Sequence, residues 1–169
     1  MAEQIKIQTP FTEEMSHKLH AGDAVLISGT IIAARDAAHK VMTEALARGE
    51  ELPVDWTNQM VYYLGPTPAK PGDPIGSCGP TTSGRMDAYT PTMLEQGIKG
   101  MIGKGSRSKE VVESMKKNHV TYFAAVGGAD LRGGVTAVRS VRRRNATEGR
   151  PSVLAGCNSL RAAGAPLRR

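Results

Sequence analysis

The sequence predicts an α/β domain. Short apolar runs rich in β-branched residues alternate with segments of helical periodicity along residues 1–129. Glycines and prolines separate these segments, as they do between strands and helices. A chain of 169 residues with 40% hydrophobic and 22% charged residues has the composition of a single globular domain. Mixed strands and helices of this kind indicate an α/β or a layered β/β/α architecture.

The first fifty residues are predicted to form strands and two helices. IKIQTP (5–10) is a short alternating strand, and Thr12 is expected to cap a helix that has Glu13 and Glu14 in its first turn. AVLISGTIIAA (24–34) is predicted to be strand, bend and strand about Gly29. Asp36 is expected to cap the next helix. Its apolar residues recur at helical spacing: Ala37, Val41, Met42, Ala45 and Leu46.

The next eighty residues continue the alternation. MVYYLG (60–65) is predicted to be a strand, and a proline-rich connector follows it. Pro91 is expected to start a helix over residues 90–97. IKGMIGKG (98–105) has the pattern of a buried strand that ends in a glycine turn. Ser106 or Ser108 is expected to cap the following helix, and VTYFAAVGGA (120–129) is the last apolar strand.

The composition changes at residue 130. Residues 1–129 hold 13 Lys/Arg and 14 Asp/Glu, whereas residues 130–169 hold 9 Arg, 2 acidic residues and no Lys. The apolar residues of this tail suggest a short strand at 135–138 or at 152–155. An arginine-rich tail also suits an anionic surface or a nucleic acid. The tail has no aromatic residue and no recognised binding module, so no nucleic-acid partner is expected.

The sequence also predicts a cytoplasmic protein without its own metal site. No apolar run approaches membrane-spanning length, and the N-terminus lacks a signal-peptide pattern. The two cysteines, Cys78 and Cys157, lie too far apart in sequence for a disulfide framework or a metal cage. His17, His20 and His119 flank predicted helices without metal-ligand spacing.

Three cations and a threonine stand in unusual local settings. Arg35 closes an apolar strand, Arg85 follows a Gly-Pro-Thr-Thr stretch, and Lys104 lies between two glycines at a strand end. A helical turn beginning at Thr81 would place Thr81 and Arg85 on one face. Arginine binds a carboxylate through paired hydrogen bonds and lysine acts as a point charge, so the set suits a dicarboxylate. The plainer alternatives are an Arg35–Asp36 ion pair, a glycine turn and a capped loop.

Four stretches of the sequence are informative when they are taken together. They are ISGTIIAARDAAHK (27–40), YYLGPTPAKPGDPIGSCGPTTSGRMDAYTP (62–91), GIKGMIGKGSRSKEVVESMKK (97–117) and YFAAVGGA (122–129). Together they resemble the C-terminal catalytic region of class I, iron–sulfur fumarate hydratases. In two-subunit enzymes this region is a separate β subunit, and the same family includes the L-tartrate dehydratase β subunit. The Gly-Pro-Thr-Thr-x-x-Arg-Met element is the most specific part of the resemblance.

The resemblance implies a swivelling β/β/α domain over residues 1–129. This domain would close over a [4Fe–4S] cluster held by a partner α subunit, and the enzyme would hydrate fumarate reversibly to malate. Thr81 matches the proposed base of the family, and the side chains that match its carboxylate-binding residues are Arg35, Arg85 and Lys104. An L-tartrate dehydratase β subunit is the alternative within the family.

The sequence departs from the family after Ala129. Members of the family usually continue with a helix rich in Ala and Lys and with further strands, and residues 130–169 show neither pattern. We therefore expect an atypical arginine-rich tail produced by a shifted reading frame or a recombined gene end. Such a tail would leave the C-terminal part of the fold incomplete and part of the sheet uncovered. An inactive, truncated subunit is the corresponding alternative.

Overall fold

The computed structural model describes residues 5–65, 67–68, 71, 79–125, 137–141 and 152–163, the last two ranges as backbone alone. Within these ranges the chain forms eight strands, four α-helices and one 3₁₀ turn. The strands belong to one sheet, in which four of the seven strand pairings are parallel and three are antiparallel. The predicted α/β fold class is therefore confirmed.

The elements follow the predicted order along residues 5–125. The helices are α1 (Glu13–His17), α2 (Asp36–Ala47), α3 (Thr90–Leu94) and α4 (Lys109–Asn118), and the 3₁₀ turn is Ser83–Met86. The strands are β1 (Ile5–Gln8), β2 (Ala24–Thr30), β3 (Ile32–Ala33), β4 (Met60–Tyr62), β5 (Gly100–Gly103), β6 (Thr121–Ala124), β7 (Ala137–Val141) and β8 (Ser152–Ala163). Among the described residues, no helix combines the length and the apolar content that crossing a bilayer requires.

The sheet is strongly curled. Its strand order is β1-β2-β8-β6-β5-β4-β3, and β7 pairs with β8 outside this path. β3, β4, β5 and β6 run parallel, whereas β8 is antiparallel to both β2 and β6. Only Ile31 separates β2 from β3 along the chain, yet the two strands lie far apart in the strand order. The sheet must therefore bend back toward itself.

Both faces of the parallel strands are buried, as expected for a parallel sheet. On β4, Met60 and Tyr62 belong to a core with Phe11, whereas Val61 belongs to a second core. The first core lies inside the curled sheet and includes residues of β1 and β2. The second lies between the sheet and the helices α2, α3 and α4. This arrangement places the helices on one side of the sheet.

Two of the predicted helix caps are confirmed. The Thr12 hydroxyl accepts a hydrogen bond from the Met15 N–H (3.4 Å) at the start of α1. The Ser108 hydroxyl accepts one from the Val111 N–H (3.3 Å) at the start of α4, so Ser108 rather than Ser106 is the cap. Pro91 lies in the first turn of α3, as predicted.

The predicted cap of α2 was wrong, and not every apolar residue of its helical pattern faces the core. Asp36 is the first residue of the helix, and the cap position belongs to Arg35, which forms no side-chain cap bond. The inner face is formed by His39, Met42 and Ala45, whereas Val41 is exposed. Because Arg35 stays extended after β3, the side of α2 that meets the sheet is set by the strand and not by apolar spacing alone.

The tail contributes two strands. The segments predicted at 135–138 and 152–155 correspond to β7 and β8, with shifted and, for β8, longer bounds. β8 pairs with β2 along Ala24–Thr30. The expectation that part of the sheet stays uncovered is therefore wrong at β2, whose backbone pairs with β8. The ladder of a sheet uses only backbone N–H and C=O groups, so a segment of atypical composition can still occupy the position.

Candidate functional site

The predicted site residues meet at the carboxyl ends of the parallel strands. Arg35 follows β3 by two residues, Gly65 lies just beyond β4, and Lys104 directly follows β5. The carboxyl ends of parallel strands lie along one edge of a sheet, which is where ligands bind in open α/β folds. We call this the carboxyl edge.

The segment around Thr81 is inserted between β4 and β5 at the carboxyl edge. The Thr81 N–H donates to the Tyr63 carbonyl (2.8 Å), and the Lys104 N–H donates to the Thr81 carbonyl (3.4 Å). The Ser83 N–H donates in turn to the Lys104 carbonyl (2.9 Å). Backbone hydrogen bonds therefore fix Thr81 beside Lys104. Thr81 is half-buried and Lys104 is exposed.

Arg35 and Arg85 are brought together by Asp36. Arg85 Nε lies 3.0 Å from Asp36 Oδ1, and Arg35 Nε lies 3.6 Å from Asp36 Oδ2. The side chains of Arg35 and Arg85 remain 39% and 54% exposed. Both guanidinium groups are therefore accessible to a ligand. The Arg35–Asp36 ion pair that the sequence offered as an alternative is present, and it extends to Arg85.

Gly65 makes room for the Arg35 side chain. A Cβ atom at Gly65 would clash with Arg35 Nη1 and would approach Arg35 Cδ within 2.9 Å. Any larger residue would displace the guanidinium. The glycine that ends the YYLG stretch is thus part of the site geometry.

The reason given for placing Thr81 beside Arg85 was wrong. The 3₁₀ turn begins at Ser83, with Thr82 at its cap position, so Thr81 precedes the turn and shares no helical face with Arg85. The hydrogen bonds to Tyr63 and Lys104 bring Thr81 to the carboxyl edge instead.

Beneath the site lies a buried arginine that sequence reasoning missed. The Arg107 side chain is 1% exposed. Its Nε donates to Asp87 Oδ1 (2.8 Å), and its Nη2 donates to the Thr90 hydroxyl (2.7 Å). The guanidinium also lies over the rings of Tyr63 (5.1 Å) and Tyr122 (5.6 Å). Arg107 comes just before a helix cap, where solvated arginines are common, so nothing in the sequence marks it as buried.

A hydroxyl pair anchors the start of the 3₁₀ turn. Ser83 Oγ lies 2.8 Å from the Tyr122 hydroxyl, which donates to the Gly105 carbonyl (3.0 Å). Burial raises the pKa of Tyr122, so its hydroxyl stays protonated at neutral pH. A Cβ atom at Gly103 would clash with Ser83 Oγ. The chain between Thr81 and Arg85 is therefore tied to β5 and β6.

His39 supports Arg35 from within α2. It is 1% exposed, and its Nδ1 lies 3.0 Å from the Arg35 carbonyl oxygen. Because a carbonyl only accepts, Nδ1 carries the proton in this contact. Burial lowers the pKa of His39 to about 4, so the ring is neutral at neutral pH. His39 thus lies on the inner face of α2, where it orients the backbone carbonyl of Arg35 and does not face a ligand.

The described side chains of the carboxyl edge are suited to an anion. They supply two guanidinium groups, one ammonium group and hydroxyl groups. Guanidinium and ammonium groups bind carboxylates through charge-assisted hydrogen bonds. Iron–sulfur clusters are held by cysteine thiolates, a different chemistry. These residues therefore fit a carboxylate substrate and do not fit an iron–sulfur cluster.

Comparison with known proteins identifies the family. The sequence model of the family described as Fumarase C-terminus matches residues 1–145. The chain belongs to this family. The predicted resemblance to class I fumarate hydratases and to the L-tartrate dehydratase β subunit is thereby confirmed. The roles of the individual site residues remain predictions.

Relatives of this Fumarase C-terminus chain include proteins of bacteria, protozoa and archaea. It is 39% identical over 123 residues to a class I aerobic fumarate hydratase of Salmonella typhimurium, covering 72% of this chain and 21% of that protein. It is 40% identical over 108 residues to fumarate hydratase 2 of Leishmania major, covering 63% and 19%. The chain spans about a fifth of these two relatives.

A third relative is closer in size. The chain is 37% identical over 120 residues to a protein of Methanocaldococcus jannaschii named as a putative L(+)-tartrate dehydratase subunit beta. The match covers 69% of this chain and 62% of that protein. The Fumarase C-terminus unit thus also forms most of a shorter relative whose name describes it as a subunit.

Proposed function

We propose that this chain is the β subunit of a two-subunit hydro-lyase that catalyses the reversible hydration of fumarate to malate. The observation that carries the proposal is the meeting of Arg35, Arg85, Lys104 and Thr81 at one edge of the sheet. The names of several relatives as fumarate hydratases support the choice of reaction.

The cations would bind the two carboxylates of the substrate. Arg35 and Arg85 are held beside each other by Asp36 and keep exposed N–H donors. Lys104 lies next to Thr81 because the backbones of the two residues are hydrogen-bonded. A dicarboxylate bound by these cations would be fixed at both ends, which orients the carbon atoms between them. Positive charge around the carboxylate also stabilises carbanion-like charge that develops next to it.

Thr81 would take the C3 proton of malate in the dehydration direction. A threonine hydroxyl is a weak base, so nearby positive charge must favour its deprotonated form. Two cations lie nearby in the structure. The backbone N–H of Lys104 donates to the Thr81 carbonyl, and Arg85 lies in the 3₁₀ turn that follows Thr81. In the hydration direction, Thr81 would return the proton to the same carbon.

An iron–sulfur cluster would have to come from a partner α subunit. The carboxyl edge offers cations and hydroxyls, and the chain has two cysteines, fewer than the three thiolates that the family resemblance implies. When bound by the partner, a [4Fe–4S] cluster supplies a Lewis acid for departure of the substrate hydroxyl. This chain would contribute substrate binding and proton transfer, and would swivel as one domain over the partner.

The second candidate is dehydration of L-tartrate. It is favoured by the Methanocaldococcus jannaschii relative, which is named for that activity and is the relative most similar in length among those described above. L-tartrate is also a dicarboxylate, so the same three cations would bind it. Its additional hydroxyl would need a further polar partner.

The test is substitution of Thr81 in the assembled enzyme. The chain would be co-expressed with a cognate α subunit under anaerobic conditions, and hydration of fumarate and dehydration of L-tartrate would be followed in parallel. Thr81→Ala should lower kcat by about 10²–10⁴-fold, the usual contribution of a general base, with little change in KM. Thr82→Ala is the matched control, because Thr82 is the exposed neighbour of Thr81.

Unchanged turnover in Thr81→Ala would refute the assignment of the base. A loss of turnover in Thr82→Ala of the same size would indicate a general disturbance of the segment. Activity on L-tartrate but not on fumarate would select the second candidate, and absence of both activities in the assembled wild-type enzyme would contradict the proposed function.

A further inference from the structure

A cluster of two histidines and one carboxylate lies at the other end of the sheet. Glu13 and His17 are one turn apart on α1, and His119 follows the last residue of α4. Their neighbours Lys99 and Thr121 lie at the amino ends of β5 and β6, opposite the carboxyl edge. The cluster is therefore separate from the candidate active site.

The ligand atoms of the cluster lie near the spacing that the ligands of one metal ion have from one another. Glu13 Oε1 is 3.6 Å from His17 Nε2 and 3.8 Å from His119 Nε2. One ligand atom from each of the three residues lies within 4.8 Å of the other two. Tetrahedral zinc with bonds of about 2.0–2.1 Å has ligand atoms separated by about 3.3 Å. Small side-chain rotations would bring the three atoms to that spacing.

Surrounding contacts hold the carboxylate in a suitable orientation. Lys99 Nζ donates to Glu13 Oε2 (3.4 Å) and to the Asn118 carbonyl (2.7 Å), which leaves Oε1 directed at the histidines. A hydrogen bond between Ser16 and Thr121 joins α1 to β6 in the same region. A hydrogen bond to the second oxygen of a ligating carboxylate, like that from Lys99 to Glu13, is typical of metal sites.

The backbone of His119 contributes to the arrangement. His119 adopts the left-handed conformation (φ 53°, ψ 52°) that ends α4, a position more often occupied by glycine or asparagine. Its ring lies 5.7 Å from the ring of His17. The two imidazoles thus come from elements that are far apart in sequence and meet only in the folded chain.

We propose that Glu13, His17 and His119 form a binding site for a divalent d-block cation of the zinc type. Two neutral imidazoles and a carboxylate are a common ligand set for such ions, and solvent completes the coordination of a three-ligand site. All three side chains are partly exposed, at 44%, 65% and 52%, so the ion can enter from solvent. The bound ion would link α1 to the end of α4.

The proposed site differs from the prediction that the chain has no metal site of its own, which stays untested. The Glu13–His17 spacing of four residues places both side chains on one helix face, and only the third ligand is distant in sequence. Lys99 adds a positive charge beside the site. Because calcium and magnesium prefer all-oxygen ligands, they are expected to bind more weakly than zinc.

The experiment is metal titration of the full chain after treatment with a chelator. Zn²⁺ binding would be measured by competition with a chromophoric chelator, and Co²⁺ would be used for its visible spectrum. We expect the chain to bind one Co²⁺, without a thiolate-to-cobalt absorption band in the visible spectrum. Zn²⁺ should bind with the same stoichiometry of one ion per chain. His119→Asn, which keeps a residue that tolerates the left-handed conformation, should weaken Zn²⁺ binding by at least about tenfold.

His17→Gln should weaken Zn²⁺ binding to a similar degree. His20→Gln is the matched control, because His20 is an exposed histidine near α1 that lies outside the cluster, and it should leave the affinity unchanged. Circular dichroism would verify that each variant is folded. Equal affinity in wild type, His119→Asn and His17→Gln would overturn the proposal, as would a cobalt spectrum dominated by thiolate bands.

Discussion

At the scale of single residues, Asp36 organises the cationic side of the carboxyl edge. One of its carboxylate oxygens faces Arg85 at 3.0 Å and the other faces Arg35 at 3.6 Å. Exposed ion pairs stabilise a protein by only about 0–1 kcal/mol. The contribution of Asp36 is therefore to position the two guanidinium groups rather than to stabilise the fold.

His39 makes the folded chain sensitive to acid. Its pKa is lowered by burial, and the nearby Arg107 also lowers it, whereas the hydrogen bond to Arg35 and the charge of Asp36 act in the other direction. The folded pKa of about 4 lies below the ordinary value of 6.5. The His39 ring therefore binds a proton more strongly in the unfolded chain than in the folded chain. The stability that the neutral ring contributes above pH 6.5 is lost as the pH falls toward 4.

We expect the His39 contribution to the free energy of unfolding to fall by up to about 3 kcal/mol between pH 6.5 and pH 4. His39→Gln should remove this dependence and give a flatter profile. The measurement is urea unfolding at a series of pH values, with His20→Gln as an exposed control. Parallel profiles for wild type and His39→Gln would show that the buried imidazole is not the cause.

At the scale of elements, α4 connects the candidate site to the core. Its cap residue Ser108 accepts from the Val111 N–H, and the Ser108 N–H donates to Asp87 Oδ2 (2.7 Å). Asp87 also accepts from Arg107, which lies over Tyr63 and Tyr122. The start of α4 is thus coupled to the 3₁₀ turn that carries Arg85.

Removing the Ser108 cap should destabilise the chain moderately. Ser108→Ala leaves the Val111 N–H without its side-chain partner, and the free energy of unfolding should fall by about 1 kcal/mol. Urea unfolding at neutral pH measures this change. Ser106→Ala is the matched control, because Ser106 is exposed and precedes the cap. A larger effect from Ser106→Ala than from Ser108→Ala would contradict the assignment of the cap.

At the scale of the whole molecule, the curled sheet holds the two cores together. Strand β8 lies between β2 and β6, so a segment of the atypical tail occupies a central position. The match to the family model extends to residue 145. We propose that the family-like domain ends within this match, at residue 129, and that residues 130–169 result from a shifted reading frame or a recombined gene end. The absence of lysine and aromatic residues in the tail supports this proposal.

Sequencing of the gene tests the origin of the tail. We expect a second reading frame downstream of codon 130 to encode an ending with lysine and aromatic residues, like those of the family. If neither alternative frame contains such an ending and no junction is found near this codon, the proposal is wrong. The tail would then be a native part of the chain.

Much of the fold was predictable because its signals are local. Thr12, Ser108 and Pro91 mark helix starts through their own hydrogen-bonding capacity or fixed φ angle. The inner face of α2 was not predictable in full. It depends on how the extended Arg35 leads from β3 into the helix, and Val41 faces solvent although its spacing is that of a core residue.

The sequence by itself determined the alternation of strands and helices, the family and the identity of the cations at the strand ends. These features depend on residue type and short spacing, which any segment carries with it. Only the tertiary structure decided that Asp36 joins Arg35 to Arg85, that Arg107 is buried, and that His119 meets Glu13 and His17. Such contacts join residues distant in sequence or in separate elements, and they exist only once the curled sheet has brought its strands and helices together.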